Sequence, residues 1–261
     1  MSNLALALRD SSTMLRRNLL HARRYPSLTL NLLLTPVMLL LLFVYVFGDA
    51  MSAGIGGGDR SDYIAYIVPG LLLMTIGSTT IGTAVSVAND MTEGIIARFR
   101  TMAIHRGSVL VGHVVGSVVQ SILSVVLVGA VGVAIGFRSA DPTALEWLAA
   151  FGLLVLFTLA LTWIAVGMGL VSPNAEAASN NAMPLIFLPL ISSAFVPVDS
   201  MPGWFQPVAE YQPFTPAIET LRGLLLGTGI GHNGWLAVVW SLALTALGYL
   251  WATAKFNNDP K

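Results

Sequence analysis

Apolar residues gather in six runs, 25–48, 63–89, 107–137, 147–175, 177–198 and 223–254, which hold no Asp, Glu and no Lys, and Arg222 stands just before the last. Each run exceeds the roughly 20 apolar residues that a helix needs to cross a hydrocarbon core ~30 Å thick. None shows the period-two alternation of a barrel strand, and backbone groups in lipid must bond within their own segment. The pattern therefore predicts an all-α polytopic membrane protein with six transmembrane helices.

Three segments outside the runs carry their own patterns. In residues 1–24, Leu4, Leu8, Leu15, Leu19 and Ala22 share one helical face with Arg9, Arg16 and Arg23 beside it, which reads as an amphipathic helix lying on the inner leaflet. Leu6 and Leu20 fall on its polar side. No small-residue cleavage site follows a compact apolar core, so the segment is expected to stay in the mature protein. In residues 90–104, Met91, Ile95, Phe99 and Met102 recur with helical spacing between charged flanks. That face suits either docking in a groove of a soluble partner or rest on lipid headgroups. Residues 199–222 interleave Pro202, Pro207, Pro213 and Pro216 with Trp204, Phe205, Tyr211 and Phe214. Prolines break a full span there and aromatics favour the headgroup level, so 199–232 reads as a hairpin that dips into the membrane and returns.

Charge sets the orientation. With the N-terminus inside, only Arg60, Arg138 and Arg222 of the 13 Lys and Arg residues fall outside. The positive-inside rule then puts both termini in the cytoplasm, as six spans require. The composition, 55% hydrophobic and 10% charged, leaves too little polar surface for a soluble domain. Cysteine is absent, which excludes a disulfide framework and thiol chemistry.

The spans hold few candidates for chemistry. Gly112 with Gly116, and Gly132 with Gly136, are pairs at four-residue spacing, suited to packing within the chain or at a subunit interface. Pro184 and Pro189 should bend the fifth helix. Asn180 and Asn181, near its inner end, either line a substrate pathway or bond neighbouring backbone. His113 stands alone near the inner end of the third span, with no acid inside any run to pass a proton to, so it reads as a structural bond or a proton relay without a partner. The only lysines are Lys255 and Lys261, so no phosphate-binding G-x-x-x-x-G-K-[ST] loop exists. Neither H-E-x-x-H nor G-x-S-x-G occurs, which argues against a hydrolase. No metal site and no nucleic-acid partner are expected, and energy for active transport would have to come from another polypeptide.

Two stretches bring a family into view. Glu93-Gly94 followed by Arg98-Phe99-Arg100 resembles the coupling-helix region of ABC-2 type transporter permeases, and residues 192–227, SSAFVPVDSMPGWFQPVAEYQPFTPAIETLRGLLLG, look like their extracellular hairpin. The nearest branch is the daunorubicin-resistance (DrrB-like) efflux permeases, and the likeness covers essentially the whole chain as one domain, 1–261. Ala103 stands where a proline is usual and Gln212 where an asparagine is common. The resemblance implies an extracellular re-entrant hairpin at 199–232 and a cytoplasmic coupling helix at 90–104 that docks a separate ABC ATP-binding subunit through Met91, Glu93, Gly94, Ile95, Arg98, Phe99, Arg100 and Met102. In the hairpin it singles out Pro202, Trp204, Pro213, Thr215, Glu219 and Arg222. It further implies a second permease copy, identical or related, ATP and magnesium held by the partner and no cofactor on this chain. The setting would be the bacterial plasma membrane, and the cargo a lipophilic drug or lipid-like molecule, carried at a seam built from spans 1, 2 and 5. Against this stand a non-transporting scaffold that anchors a soluble enzyme, a passive channel, and an exporter of lipid or polysaccharide.

Overall fold

A computed structural model describes residues 26–48, 60–93 and 106–258. The amphipathic segment 1–24 and most of the docking segment, 94–104, lie outside the described residues. Among the described residues there is no strand. The helices are α1 (Pro26–Tyr45), α2 (Arg60–Thr92), α3 (Arg106–Ala134), α4 (Ala144–Val171), α5 (Ala175–Ala182), α6 (Pro184–Leu190), α7 (Gln206–Tyr211), α8 (Phe214–Leu226) and α9 (Asn233–Asn258).

Among the described residues, α2, α3, α4 and α9 are long and apolar enough to cross a membrane. The 20 residues of α1 extend ~30 Å at 1.5 Å per residue, the thickness of a hydrocarbon core. α2 is buried on most of its sides and sits at the centre, in contact with α1, α3, α4, α5, α6 and α8 and burying Ile67, Leu71, Leu73 and Ile76. The outer helices expose Leu123 and Val126 on α3 and Leu242, Leu247 and Leu250 on α9. In lipid such faces cost nothing, because acyl tails are as apolar as leucine.

Local chemistry sets the ends of the helices. α4 opens with a capping box: Thr143 Oγ1 accepts from the Glu146 N–H at 3.3 Å, and Glu146 Oε2 accepts from the Thr143 N–H at 2.6 Å. Each side chain satisfies a donor that the first turn leaves open. After α4, Ser172, Pro173 and Asn174 break the chain, and Asn174 Oδ1 caps α5 through the Ala177 N–H at 2.8 Å.

The fifth apolar run is not one spanning helix, contrary to the sequence expectation. It forms α5 and α6, interrupted at Met183 because Pro184 has no N–H for the ladder, and from Ile191 the chain turns. The two pieces together extend only ~24 Å. What replaces length is close seating on α2. A Cβ on Gly70 would lie 2.7 Å from Ala194, and one on Gly77 would collide with the Leu185 carbonyl. Only glycine at these two positions lets backbone meet backbone.

The hairpin region is more helical than its prolines suggest. A 3-10 turn (Val198–Ser200) leads through the Pro202 turn into α7, and α8 follows after Gln212 and Pro213. α8 therefore starts at Phe214, directly after Pro213. Phe214 approaches Gly77, midway along α2, and makes an edge-to-face contact with Phe157 of α4, ring centroids 4.9 Å apart. At its other end α8 stops at Gly227, left-handed with φ 68°, and the Leu225 carbonyl accepts from the Ala140 N–H of the α3–α4 connection at 3.1 Å. α8 is thus a half-length buried helix running from mid-bundle to the end where α2 begins. A Cβ on Gly132 would lie 3.4 Å from Val68 of α2, and Gly112 and Gly116 are buried within the chain, so these glycines serve packing inside the bundle. Gly136 lies beyond α3, with φ 119°.

Candidate functional site

Where α6 ends, the backbone of residues 191–195 leaves the helical ladder inside the bundle, and its polar groups need partners that lipid cannot supply. Side chains from distant elements provide them. The Ser193 N–H donates to Thr215 Oγ1 at 3.2 Å, and the Ser193 carbonyl accepts from the Tyr66 hydroxyl and from Arg222 Nη2, both at 3.0 Å. Ser192 Oγ accepts from the Ala194 N–H at 3.1 Å. Gln212 Nε2 donates to the Leu188 carbonyl at 3.2 Å, and Thr215 Oγ1 donates to the Ala209 carbonyl at 2.5 Å. Gln212 thus ties α6 to the start of α8.

Arg222 is the centre of this arrangement. It is buried, with its guanidinium 3.8 Å from the Tyr66 ring centroid. Nε and Nη2 donate to the Tyr66 carbonyl at 3.3 and 3.1 Å, and Nη1 donates to Glu219 Oε1 at 2.5 Å. A planar five-donor fork can reach three acceptors and stack at once, which an ammonium cannot. Glu219 neutralises the charge one helical turn away, with its side chain about a third exposed at 32%. Tyr63 Oη and Ser193 Oγ, both buried, have no hydrogen-bond partner among the described residues.

At the opposite end of the bundle, His113 Nε2 lies 3.0 Å from Asp90 Oδ2, and both residues are buried. This corrects the reading of His113 as lacking an acidic neighbour. The apolar run closes at Asn89, but α2 continues to Thr92 and turns Asp90 onto the face that meets α3. The signal was helical periodicity, since Thr83, Val87 and Asp90 are buried on the same face.

The singled-out residues fall into separate places. Thr215, Glu219 and Arg222 join one network, while Pro213 stands at the N-cap of α8. Pro202 and Trp204 are exposed, Trp204 at 80%, and the Pro202 carbonyl closes the turn by accepting from the Phe205 N–H at 2.8 Å. Asn180 and Asn181 are exposed on α5, away from that network, and Asn181 Nδ2 donates to Ser172 Oγ at 2.9 Å. Of the docking residues, Met91 is half-buried against the apolar cluster that includes Val87 and Leu110, and Glu93 is exposed. Gly94, Ile95, Arg98, Phe99, Arg100 and Met102 lie outside the described residues. Sequence reasoning missed Tyr66, Ser193 and Asp90. No metal-binding cluster of His, Asp or Glu occurs among the described residues.

A helical bundle with lipid-facing outer helices, a short limb seated on its central helix and a buried arginine holding that limb is a multi-pass membrane protein. The chain belongs to the ABC-2 type transporter family, which matches residues 10–226. It is similar to the daunorubicin resistance ABC transporter permease protein DrrB1 of Streptomyces coeruleorubidus, 28% identical over 86% of this chain and 77% of that protein. It also resembles the probable doxorubicin resistance ABC transporter permease protein DrrC of Mycobacterium tuberculosis, 24% identical over 62% of this chain and 58% of that one. The putative transport permease ycf38 of Cyanophora paradoxa is 24% identical over 85% of this chain and 74% of its own length. The chain is accordingly a membrane permease subunit of an ABC transporter rather than a catalytic chain, in a family that works with ATP-binding subunits.

Proposed function

We propose that this permease exports a lipophilic drug or lipid-like molecule, driven by ATP that a separate subunit binds with magnesium and hydrolyses. The observation that carries the reading is the family match together with the likeness to a daunorubicin resistance permease over most of both chains. Two permease copies face each other in a bacterial plasma membrane, with both termini cytoplasmic. The distribution of Arg and Lys supports that orientation. The membrane is crossed six times, with α5 and α6 as the shortened fifth limb, and α7 with α8 forms the extracellular re-entrant hairpin.

Transport in such an assembly is an exchange between inward and outward arrangements, biased by differential contacts in each state. Residues 90–104 receive the movement of the ATP-binding subunit, and the buried hairpin closes the outer side. Cargo passes the seam between copies beside spans 1, 2 and 5, which are α1, α2 and the α5–α6 limb, with Asn180 and Asn181 at its inner mouth. The exposed Leu34, Met38 and Leu42 of α1 and Phe187 of α6 offer the apolar lining such cargo needs. The test is to co-purify the chain with its neighbouring ATPase, reconstitute it in lipid and measure ATP hydrolysis with added daunorubicin. Stimulated hydrolysis that needs both chains is the expected result. Hydrolysis indifferent to daunorubicin and to a panel of lipophilic cations and lipids would overturn the proposal.

A further inference from the structure

We infer that residues 78–83 of α2 are a joint at which the central helix flexes, with Ser78, Thr79 and Thr80 as positioning residues that keep the opened backbone satisfied. The flexing serves the exchange of inward and outward arrangements proposed above for transport, and rests on that reading. Residues 77–83 run Gly-Ser-Thr-Thr-Ile-Gly-Thr, without one strong helix former, whereas Leu71, Leu72, Leu73 and Met74 stand just before them. An adjacent glycine and serine, here Gly77 and Ser78, make one of the few local sequences at which long helices kink. α2 nevertheless runs unbroken from Arg60 to Thr92, so the joint is closed in this arrangement.

The hydroxyls of the stretch turn back on the helix. Ser78 Oγ donates to the Thr75 carbonyl at 2.9 Å, Thr79 Oγ1 to the Ile76 carbonyl at 3.0 Å and Thr80 Oγ1 to the Gly77 carbonyl at 2.7 Å. Three successive carbonyls thus accept a side-chain hydroxyl from three residues further on, besides their place in the ladder. In the other long helices Ser124, Thr158, Ser241 and Thr245 each reach the carbonyl four residues back instead. Back-bonding of this kind bends helices, and within a membrane it leaves an acceptor satisfied when its ladder bond parts. Ser121 Oγ of α3 lies 2.7 Å from Thr79 Oγ1, which pins the stretch to α3 near its middle.

Different neighbours hold α2 on the two sides of this stretch. Up to Gly77 it is tied to the limb and to α8: Tyr66 bonds Ser193 and Arg222, and Gly70 and Gly77 seat against Ala194 and Leu185. From Ala84 onward it is seated on α4, where a Cβ on Gly169 would lie 2.6 Å from the Ala84 carbonyl. Val87 there belongs to an apolar cluster with Leu110 and Val114 of α3 and Val166 and Leu170 of α4. A shift of the limb relative to α4 is therefore taken up between the two sets of attachments, in residues 78–83.

The experiment uses the whole chain with its ATP-binding subunit in lipid. It compares the unaltered complex with Ser78→Ala/Thr80→Val, which removes two hydroxyls, and with Ser78→Thr/Thr80→Ser, which keeps them. During ATP turnover, backbone hydrogen exchange read by mass spectrometry should be about tenfold faster within 78–83 than in 67–73 and 84–88. In Ser78→Ala/Thr80→Val it should fall to within about threefold of those flanks, and ATP hydrolysis by the complex relative to the ATP-binding subunit alone should drop about fivefold. Resistance to unfolding should stay equal or rise, because alanine is the better helix former. The variant that keeps the hydroxyls should match the unaltered complex in both readings. Easier unfolding of Ser78→Ala/Thr80→Val, or its failure to accumulate, overturns the joint, since the hydroxyls would then hold the helix together rather than let it open. Exchange within 78–83 no faster than in its flanks overturns it, and so does undiminished hydrolysis in a stable variant whose exchange has slowed. Hydrolysis by the unaltered complex no faster than by the ATP-binding subunit alone, with 78–83 still exchanging fast, would instead overturn the functional reading and leave the joint standing.

Discussion

Replacing Arg222 with alanine removes four hydrogen bonds, from Nε and Nη2 to the Tyr66 carbonyl, from Nη2 to the Ser193 carbonyl and from Nη1 to Glu219. It also removes the stacking on Tyr66. Side-chain hydrogen bonds inside membrane proteins average ~0.6 kcal/mol, which sets a lower bound near ~2 kcal/mol for the set. Truncating one partner of a fully buried ion pair costs about 3–5 kcal/mol, but the partial exposure of Glu219 brings that figure down. The expected loss for Arg222→Ala is therefore ~2–4 kcal/mol. Arg222→Lys keeps the charge and loses the fork, for about 1–2 kcal/mol. Glu219→Ala should cost only ~1 kcal/mol, because Arg222 keeps both carbonyls. The double alanine variant should match Arg222→Ala alone, since no charge is then left unpaired. The assay is denaturant unfolding of the purified chain in mixed micelles, with drug export measured in parallel. Equal losses in the two single variants, strictly additive losses in the double, or wild-type stability of Arg222→Ala would refute the reasoning.

Gly77→Ala should destabilise the fold by about 1–3 kcal/mol by pushing α6 off α2, whereas Gly152→Ala, with open space around it, should be neutral or stabilise by up to ~1 kcal/mol; the same unfolding assay compares them, and equal effects would contradict the seating argument. Cysteines placed at Ser200 and at Gly231 in this Cys-free chain should both react with an impermeant thiol reagent applied from outside, and labelling at only one would mean that the chain between them crosses. Phe99→Asp should abolish co-purification of the ATP-binding subunit while membrane insertion persists. A normal, coupled complex would remove Phe99 from the docking face.

The long helices were legible because hydropathy reports directly on burial in lipid, and the runs at 63–89 and 147–175 anticipate α2 and α4 to within a few residues. The fifth run misled because hydropathy does not register a lost N–H: Pro184 was read as a bend, yet the chain also stops being helical at Ile191. Nothing local marks Ser193, whose carbonyl partners are 127 and 29 residues away. Pairing of Glu219 with Arg222 was visible from their three-residue spacing, but the larger share of Arg222's bonds goes to backbone, which no pattern of side chains reveals. Asp90 escaped notice because a run was closed at the first polar residues rather than followed to the end of its helical face.

The arginine network also says where the bundle can bend. Through Arg222 and Tyr66, three stretches far apart in sequence, the start of α2, the turn after α6 and the whole of α8, are riveted into a single block, and Gly70 and Gly77 leave no slack beneath it. A block fixed at that many points cannot open by swinging α8 alone, since a shift of about one ångström would break bonds to two neighbours together. Any rearrangement must then carry α6, α8 and the start of α2 as one leaf, hinged where the ladder is already interrupted, at Ser172–Asn174 and at Met183.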